Sequence, residues 1–138
     1  VLLYNREKDG NKMSARANGK WGGMNWIRQD KRFAIYLRDG LACACCGRSV
    51  EEGTRLTLDH IIPRSCGGDN KETNLITACD KCNSTRGARN IHEFTLAVAQ
   101  YTGKSASGIM VFIEEKRNLS LDSFKVQAKE IIASRKKN

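Results

Sequence analysis

At 138 residues the chain has room for one domain with flanking segments rather than two full domains. No run of about 18 apolar residues is present to suggest a membrane-spanning helix, and residues 1–6 turn polar too soon for a signal peptide, so a cytoplasmic, reducing setting is expected. The formal net charge of +9, from 24 Lys and Arg against 15 Asp and Glu, argues for a polyanionic partner.

The placement of that charge says more than its total. Residues 1–42 carry nine basic and four acidic side chains, residues 43–87 six of each, and residues 88–138 nine basic and five acidic. Two basic flanks therefore enclose a neutral centre. Nucleic acid is the natural partner of such a pattern, because every phosphate contact releases counterions.

In chain order, residues 1–24 are polar, basic and aperiodic, and read as an arm. Residues 25–39 read as a helix. Asn25 is its expected cap, Trp26, Phe33 and Leu37 share an apolar face, Arg28, Lys31, Arg32 and Arg38 cover the rest, and Gly40 ends it. Residues 55–61 are β-prone, with Leu56 and Leu58 on one side. Pro63 and the Gly67-Gly68-Asp69-Asn70 run make a loop, and residues 74–78 give a second short strand. Asp80 is the expected cap of a short helix carrying Cys82, Asn83 and Arg86. Asn90 and Glu93 form a capping-box pattern opening a helix to about Tyr101. Residues 105–117 have no decided state. A last helix from Ser120 places Leu121, Phe124, Ala128, Ile131 and Ile132 on one face.

The six cysteines include two CxxC turns, Cys43 to Cys46 and Cys79 to Cys82. Two such turns supply four thiolates to a tetrahedral zinc ion, and a reducing compartment favours this over disulfides or a redox pair. Cys45 and Cys66 are left as free thiols. An ordinary zinc ribbon separates its pairs by about 15–20 residues, whereas 32 residues lie between Cys46 and Cys79. That insert carries Asp59-His60 at the end of the first strand and Asn74 fourteen residues later. Asn83 follows the last cysteine, where a bound zinc would fix its backbone. A carboxylate and an amide oxygen suit a hard cation such as Mg²⁺ or Mn²⁺, and a neutral imidazole beside them can deprotonate water. Adjacent strand residues point to opposite faces, so Asp59 and His60 share one site only if the strand ends there.

The residues Asp59-His60-Ile61-Ile62-Pro63-Arg64-Ser65, Gly67-Gly68, Asn74-Leu75 and Cys79-x-x-Cys82-Asn83-x-x-Arg86-Gly87 resemble the zinc-stapled HNH endonucleases found in restriction enzymes, homing endonucleases and phages. The resemblance spans about residues 26–90. It implies an α+β fold with a ββα-metal (HNH, His-Me finger) core and a four-cysteine zinc site, flanked by helices. It also implies His60 as general base, Asp59 and Asn83 as ligands of a catalytic Mg²⁺, Mn²⁺ or Ni²⁺, and Asn74 as the residue that holds the loop and orients His60. Arg64 and Arg86 are the expected phosphate contacts. The expected organisation is a basic arm over 1–24, a nuclease domain over 25–101 and a basic helical extension over 102–138. DNA is the expected partner, with a protein partner or self-association through the flanks as an additional expectation. A zinc-bound DNA-binding module without catalysis is the alternative.

Overall fold

The computed structural model describes residues 25–136; the arm expected over 1–24 lies outside the described residues, as do residues 137 and 138. Five helices and two strands follow in the order α1 (Gln29–Arg38), β1 (Leu56–His60), β2 (Leu75–Cys79), α2 (Asp80–Arg86), α3 (Ile91–Thr102), α4 (Ala106–Arg117) and α5 (Asp122–Lys136). The fold is α+β. None of these helices is long and apolar enough to cross a membrane.

β1 and β2 pair antiparallel, with Thr57 opposite Ala78, Leu58 opposite Thr77, Asp59 opposite Ile76 and His60 opposite Leu75. Directly opposed residues lie on the same face of a sheet, and neighbours along a strand alternate. One face therefore carries Thr57, Asp59, Ile76 and Ala78. The other carries Leu58, His60, Leu75 and Thr77. Each face feeds a separate core. Ile76 and Ala78 pack with Cys43, Cys45, Cys79 and Cys82 and with Phe94, Val98, Ile109 and Ile113 from α3 and α4. Leu58 and Leu75 pack with Ala34 and Ile35 of α1 and with Leu121 and Ala128 at α5. The two-stranded sheet is thus covered on both sides, which explains why all five residues of β2 are buried. Residues 102–138, expected as an extension, contribute through α4 and α5 to both cores.

Several local expectations shift for identifiable reasons. α1 begins four residues later than Asn25; its N-cap is Arg28, which makes no side-chain capping bond. The start is fixed by packing of the helix rather than by a cap. The N-cap of α2 is Cys79, whose sulfur accepts the Cys82 N–H, while Asp80 is the first helical residue. The thiol therefore takes the place expected of a carboxylate. The undecided stretch 105–117 is helical in α4, capped by Ser105, which accepts the Gly108 N–H. The capping box of Asn90 and Glu93 forms as expected, with both reciprocal bonds present.

Arg38, expected on the solvated side of α1, is instead buried with Asp39, both side chains at 0% exposure. Its Nε donates to Asp39 Oδ1 at 2.8 Å and one Nη to Oδ2 at 3.1 Å. The guanidinium also donates to the carbonyls of Glu72 and Leu75, on either side of Asn74. Asp39 Oδ2 further accepts the backbone N–H of Thr77 at 2.9 Å. The pair ties the end of α1 to the entry of β2, and the extra hydrogen bonds offset the desolvation of both charges. Asp39→Ala leaves a buried guanidinium and an unpaired N–H. The expected loss is about 3–5 kcal/mol of unfolding free energy, read from urea titrations at constant zinc. A loss below about 1 kcal/mol, the scale of an exposed pair, would show that this pair does not hold the sheet to α1.

Candidate functional site

The cysteine cluster assembles from two chain reversals. At the first, Gly47 adopts φ +86°, closing a turn in which its N–H reaches the Cys43 carbonyl at 3.0 Å. The N–H groups of Cys45 and Cys46 point at Cys43 Sγ, at 3.4 and 3.5 Å. The second reversal is the β2–α2 junction. The Ala44 N–H donates to the Thr77 carbonyl at 2.9 Å and sews the first turn onto β2. As a result the sulfurs of Cys43, Cys46, Cys79 and Cys82 all lie within 4.8 Å of one another, and Cys46 and Cys79 are 3.6 Å apart. A tetrahedron with arms of about 2.3 Å has edges of about 3.8 Å, so the four thiols fit a structural zinc ion.

Electrostatics supports the same conclusion. The hydrogen bonds that Cys43 receives from the thiols of Cys45, Cys79 and Cys82 hold it far below the usual thiol range. Sharing with Cys43 and burial push Cys79 and Cys82 up. Four sulfurs this close cannot all ionise without a cation among them, and a divalent metal supplies it while releasing protons. Tyr101 of α3 adds a hydroxyl 2.9 Å from Cys82 Sγ. Of the two remaining cysteines, Cys45 is buried at 1% exposure beside the first turn and Cys66 is exposed in the loop after β1.

That loop, residues 61–74, is closed by Asn74. Its Oδ1 accepts the Ile62 N–H at 2.8 Å, and its Nδ2 donates to the carbonyls of Ile62 and Asp69 at 3.1 and 2.8 Å. The Gly67-Gly68 pair permits the closure. Gly67 sits at φ +89°, and any Cβ on Gly68 would overlap the Ile62 carbonyl. Asn74 thus grips the loop, but its side chain makes no hydrogen bond to His60. The hydrogen-bond partner of His60 is Asn70, with Nε2 2.8 Å from Asn70 Oδ1. Arg64, which is exposed, also donates to that Oδ1 at 3.3 Å. A guanidinium only donates, so the Asn70 atom facing it is the oxygen, and His60 Nε2 carries a proton. Nδ1 is then the lone-pair nitrogen of the neutral ring.

Trp26 lies against the imidazole, with ring centroids 4.9 Å apart. Lys31 of α1 donates to the Asn70 carbonyl at 2.8 Å. Burial pushes His60 below its ordinary value, while Asn70 and Asp59 oppose the shift.

On the opposite face of β1, Asp59 turns toward α2. Its Oδ2 accepts from Arg86 Nη1 at 2.6 Å. Burial pushes the Asp59 carboxyl up and Arg86 pulls it back. Arg86, expected at phosphate, has a different setting: 4% exposed, it also donates to the carbonyls of His60, Ile61 and Arg89. Four of its five N–H donors are taken up in this way, which ties the end of β1 to α2. Asn83, three residues earlier and hence on the same helical face, donates from Nδ2 to Thr57 Oγ1 at 3.2 Å. Among the described residues, no hydrogen bond reaches Asp59 Oδ1 or Asn83 Oδ1. Both are hard oxygen donors of the kind a divalent cation takes. Asp59 and His60 stand back to back across the last residues of β1, close enough to feel each other's charge but not in contact.

The sequence reading missed Asn70, Trp26 and Lys31 around His60. Asn70 carried a signal, being a polar side chain at the end of a glycine turn. The other two did not, because their roles depend on where α1 docks.

Residues 43–89 match the family described as HNH endonuclease. No curated protein and no solved structure matches the chain.

Zinc binding is worth about 10–16 kcal/mol in small cysteine sites, against about 5–15 kcal/mol for a whole domain. Cys79→Ser is therefore expected to abolish stoichiometric zinc and to unfold the region around both turns. Cys66→Ser and Cys45→Ala, which leaves no buried hydroxyl, are expected to retain one zinc per chain. Metal analysis of the purified variants decides it. Zinc loss in all three would refute the four-ligand assignment.

Proposed function

We propose, from the HNH endonuclease match at residues 43–89, that the chain is a metal-dependent endonuclease that hydrolyses DNA phosphodiesters. The observation that carries this reading is the His60 imidazole, held by Asn70 and backed by Trp26 so that its free lone pair is on Nδ1. Among the described residues no hydrogen bond reaches Nδ1, and a purely structural histidine has no need of a held ring with a nitrogen left over. His60 takes a proton from water at Nδ1, the water oxygen bonds to phosphorus, and the bond from phosphorus to the leaving sugar oxygen breaks, with solvent protonating that oxygen. Asp59 and Asn83 would hold a catalytic Mg²⁺, Mn²⁺ or Ni²⁺. When bound, such an ion polarises the phosphoryl oxygen and stabilises charge on the leaving oxygen. Arg64, exposed beside His60, is the better phosphate contact of the two arginines. The setting is cytoplasmic, in a bacterial or phage-infected cell.

The Asp59–Arg86 pair favours a second reading, a zinc-bound DNA-binding module without catalysis, because it gives Asp59 a structural role. Plasmid cleavage separates the two. His60→Ala removes the base but leaves the thiols, the basic flanks and the oxygen donors. DNA binding by gel shift is expected to survive, while conversion of supercoiled plasmid to nicked and linear forms falls by about 10²-fold or more. A base works only when neutral. Since burial lowers the His60 pKa, cleavage is expected to persist into mildly acidic buffer and to fall once the pH drops through that lowered value. Wild-type cleavage by a folded, zinc-loaded His60→Ala protein would exclude His60 as base. Absence of cleavage by the wild type with all three metals would favour the binding module.

DNA affinity is expected to fall steeply with salt. α5 carries Lys129, Arg135 and Lys136 exposed, but its Ala128 is a core residue, so deleting the helix would damage the fold. Neutralising Lys129 and Lys136 to Gln tests the charge alone. The slope of log K against log salt is expected to become shallower by about 0.9 for each phosphate no longer neutralised. An unchanged slope would place this end of α5 away from DNA.

A further inference from the structure

We propose that Thr57 is a positioning residue that turns the Asn83 amide, presenting its oxygen to the divalent cation shared with Asp59. The inference rests on the metal-dependent reading above and identifies what orients one of its two oxygen donors.

A side-chain amide is nearly symmetric in shape. Turned one way Asn83 offers a cation its oxygen, and turned the other way an NH₂ group that repels it. Nothing in the residue itself chooses between them, so a neighbour must. Thr57 lies on the α2 side of β1, two residues from Asp59 and opposite Ala78. Its hydroxyl has one hydrogen. That hydrogen goes to the Ala78 carbonyl at 3.2 Å, an atom that can only accept. What remains on Oγ1 is lone-pair density, and it faces Asn83 Nδ2 at 3.2 Å. With Asn83 reversed, two acceptors would compete for the single hydroxyl hydrogen and one would lose its partner. The arrangement that satisfies both bonds is the one that leaves Asn83 Oδ1 uncommitted.

The geometry is reinforced by a second rung. Thr57 and Asp59 on the strand face Asn83 and Arg86 on α2, and the rungs are Asn83 to Thr57 and Arg86 to Asp59. Each rung occupies one atom of a two-atom head group and leaves the other, an oxygen, free to face a cation. Arg86 occupies Asp59 Oδ2 and leaves Oδ1, while Thr57 occupies Asn83 Nδ2 and leaves Oδ1. Partners behind metal ligands commonly matter by about 10–100-fold in metal affinity.

Thr57→Val keeps the shape and the strand preference of the residue but removes the hydroxyl, and Thr57→Ser keeps the hydroxyl. Both are made in a His60→Ala background, in which cleavage is expected to be slower by about 10²-fold or more. Mn²⁺ is titrated into the zinc-loaded protein on a short duplex, and free Mn²⁺ is followed by electron paramagnetic resonance against duplex alone. Thr57→Val is expected to weaken Mn²⁺ binding about tenfold and Thr57→Ser to restore it. In the cleavage-competent background, the Mn²⁺ concentration for half-maximal rate is expected to rise in parallel. If Asn83→Ala and Asp59→Ala weaken Mn²⁺ but Thr57→Val does not, the role of Thr57 is overturned and the metal site stands. A Thr57→Val loss of rate at saturating Mn²⁺ with unchanged Mn²⁺ dependence also overturns it. Mn²⁺ binding that is indifferent to Asn83→Ala and Asp59→Ala overturns the metal site itself, and this inference with it.

Discussion

The four-thiol cluster is the constraint on which the rest of the central fold depends. It joins a turn near the start of the described chain to the junction of β2 and α2, so that two segments far apart in sequence share one fixed point. A seven-residue helix is too short to be stable by its own hydrogen bonds. α2 exists because Cys79 caps it, Cys82 is held in the cluster, and the ends of β1 and β2 receive its side chains. Asn83 follows Cys82 directly, so whatever fixes the sulfur fixes the backbone that carries the amide. The metal centre and the candidate catalytic oxygens are mechanically one unit.

A second constraint comes from the strand alternation at β1. Because Thr57 and Asp59 face α2 while His60 faces α1, the two halves of the candidate site are supported by different parts of the chain. The oxygen side is held by α2, through Asn83 to Thr57 and Arg86 to Asp59. The imidazole side is held by Trp26 and Lys31, and the entry to β2 beside Asn74 is pinned by Arg38. All three lie before residue 43, outside the HNH match. Opposite faces of one strand end therefore put the two chemistries near each other without letting the side chains neutralise one another. Burial lowers the His60 pKa and outweighs the hydrogen bond to Asn70 and the charge of Asp59, which raise it.

Much of this was legible beforehand, and the pattern of what was not is physical. The two CxxC turns and the capping box at Asn90 are local and can each be read from a few neighbouring residues, whereas the loop-holding role of Asn74 came only from the family resemblance. The Gly67-Gly68 pair was also visible, although only the structure shows that Gly68 is needed for the close approach of the Ile62 carbonyl. Arg86 and Arg38 were misjudged for the same reason. Both read as surface cations, yet each has a carboxylate and several carbonyls converging on it. Whether an arginine meets solvent or a ring of buried acceptors is decided by how elements dock, which composition and periodicity do not encode. Residues 105–117 stayed undecided because residues 109–113 are an unbroken apolar run, which periodicity cannot assign to helix or strand; the docking that buries Ile109 and Ile113 against the cysteine-side core decides it.

The position of Arg86 also changes how the site's charge is to be understood. A carboxylate prepared for a divalent cation gains nothing from a guanidinium at 2.6 Å if both oxygens are needed for the metal. It gains if one oxygen is enough. The ion pair then opposes the desolvation that pushes the carboxyl's pKa up, and fixes the direction of the remaining oxygen. Thr57 acts on Asn83 by the same logic with neutral groups. In both rungs a partner occupies one atom of a two-atom head group and leaves the other. Such a site offers few protein ligands, which suits a cation that keeps most of its water and takes its remaining oxygens from phosphate. The zinc cluster, with four thiols and no open position, is its opposite. One short helix carries a zinc-site thiol and the proposed ligand of the second metal at adjacent positions, Cys82 and Asn83, and on the proposed reading so separates a metal that holds the fold from one that would meet the substrate.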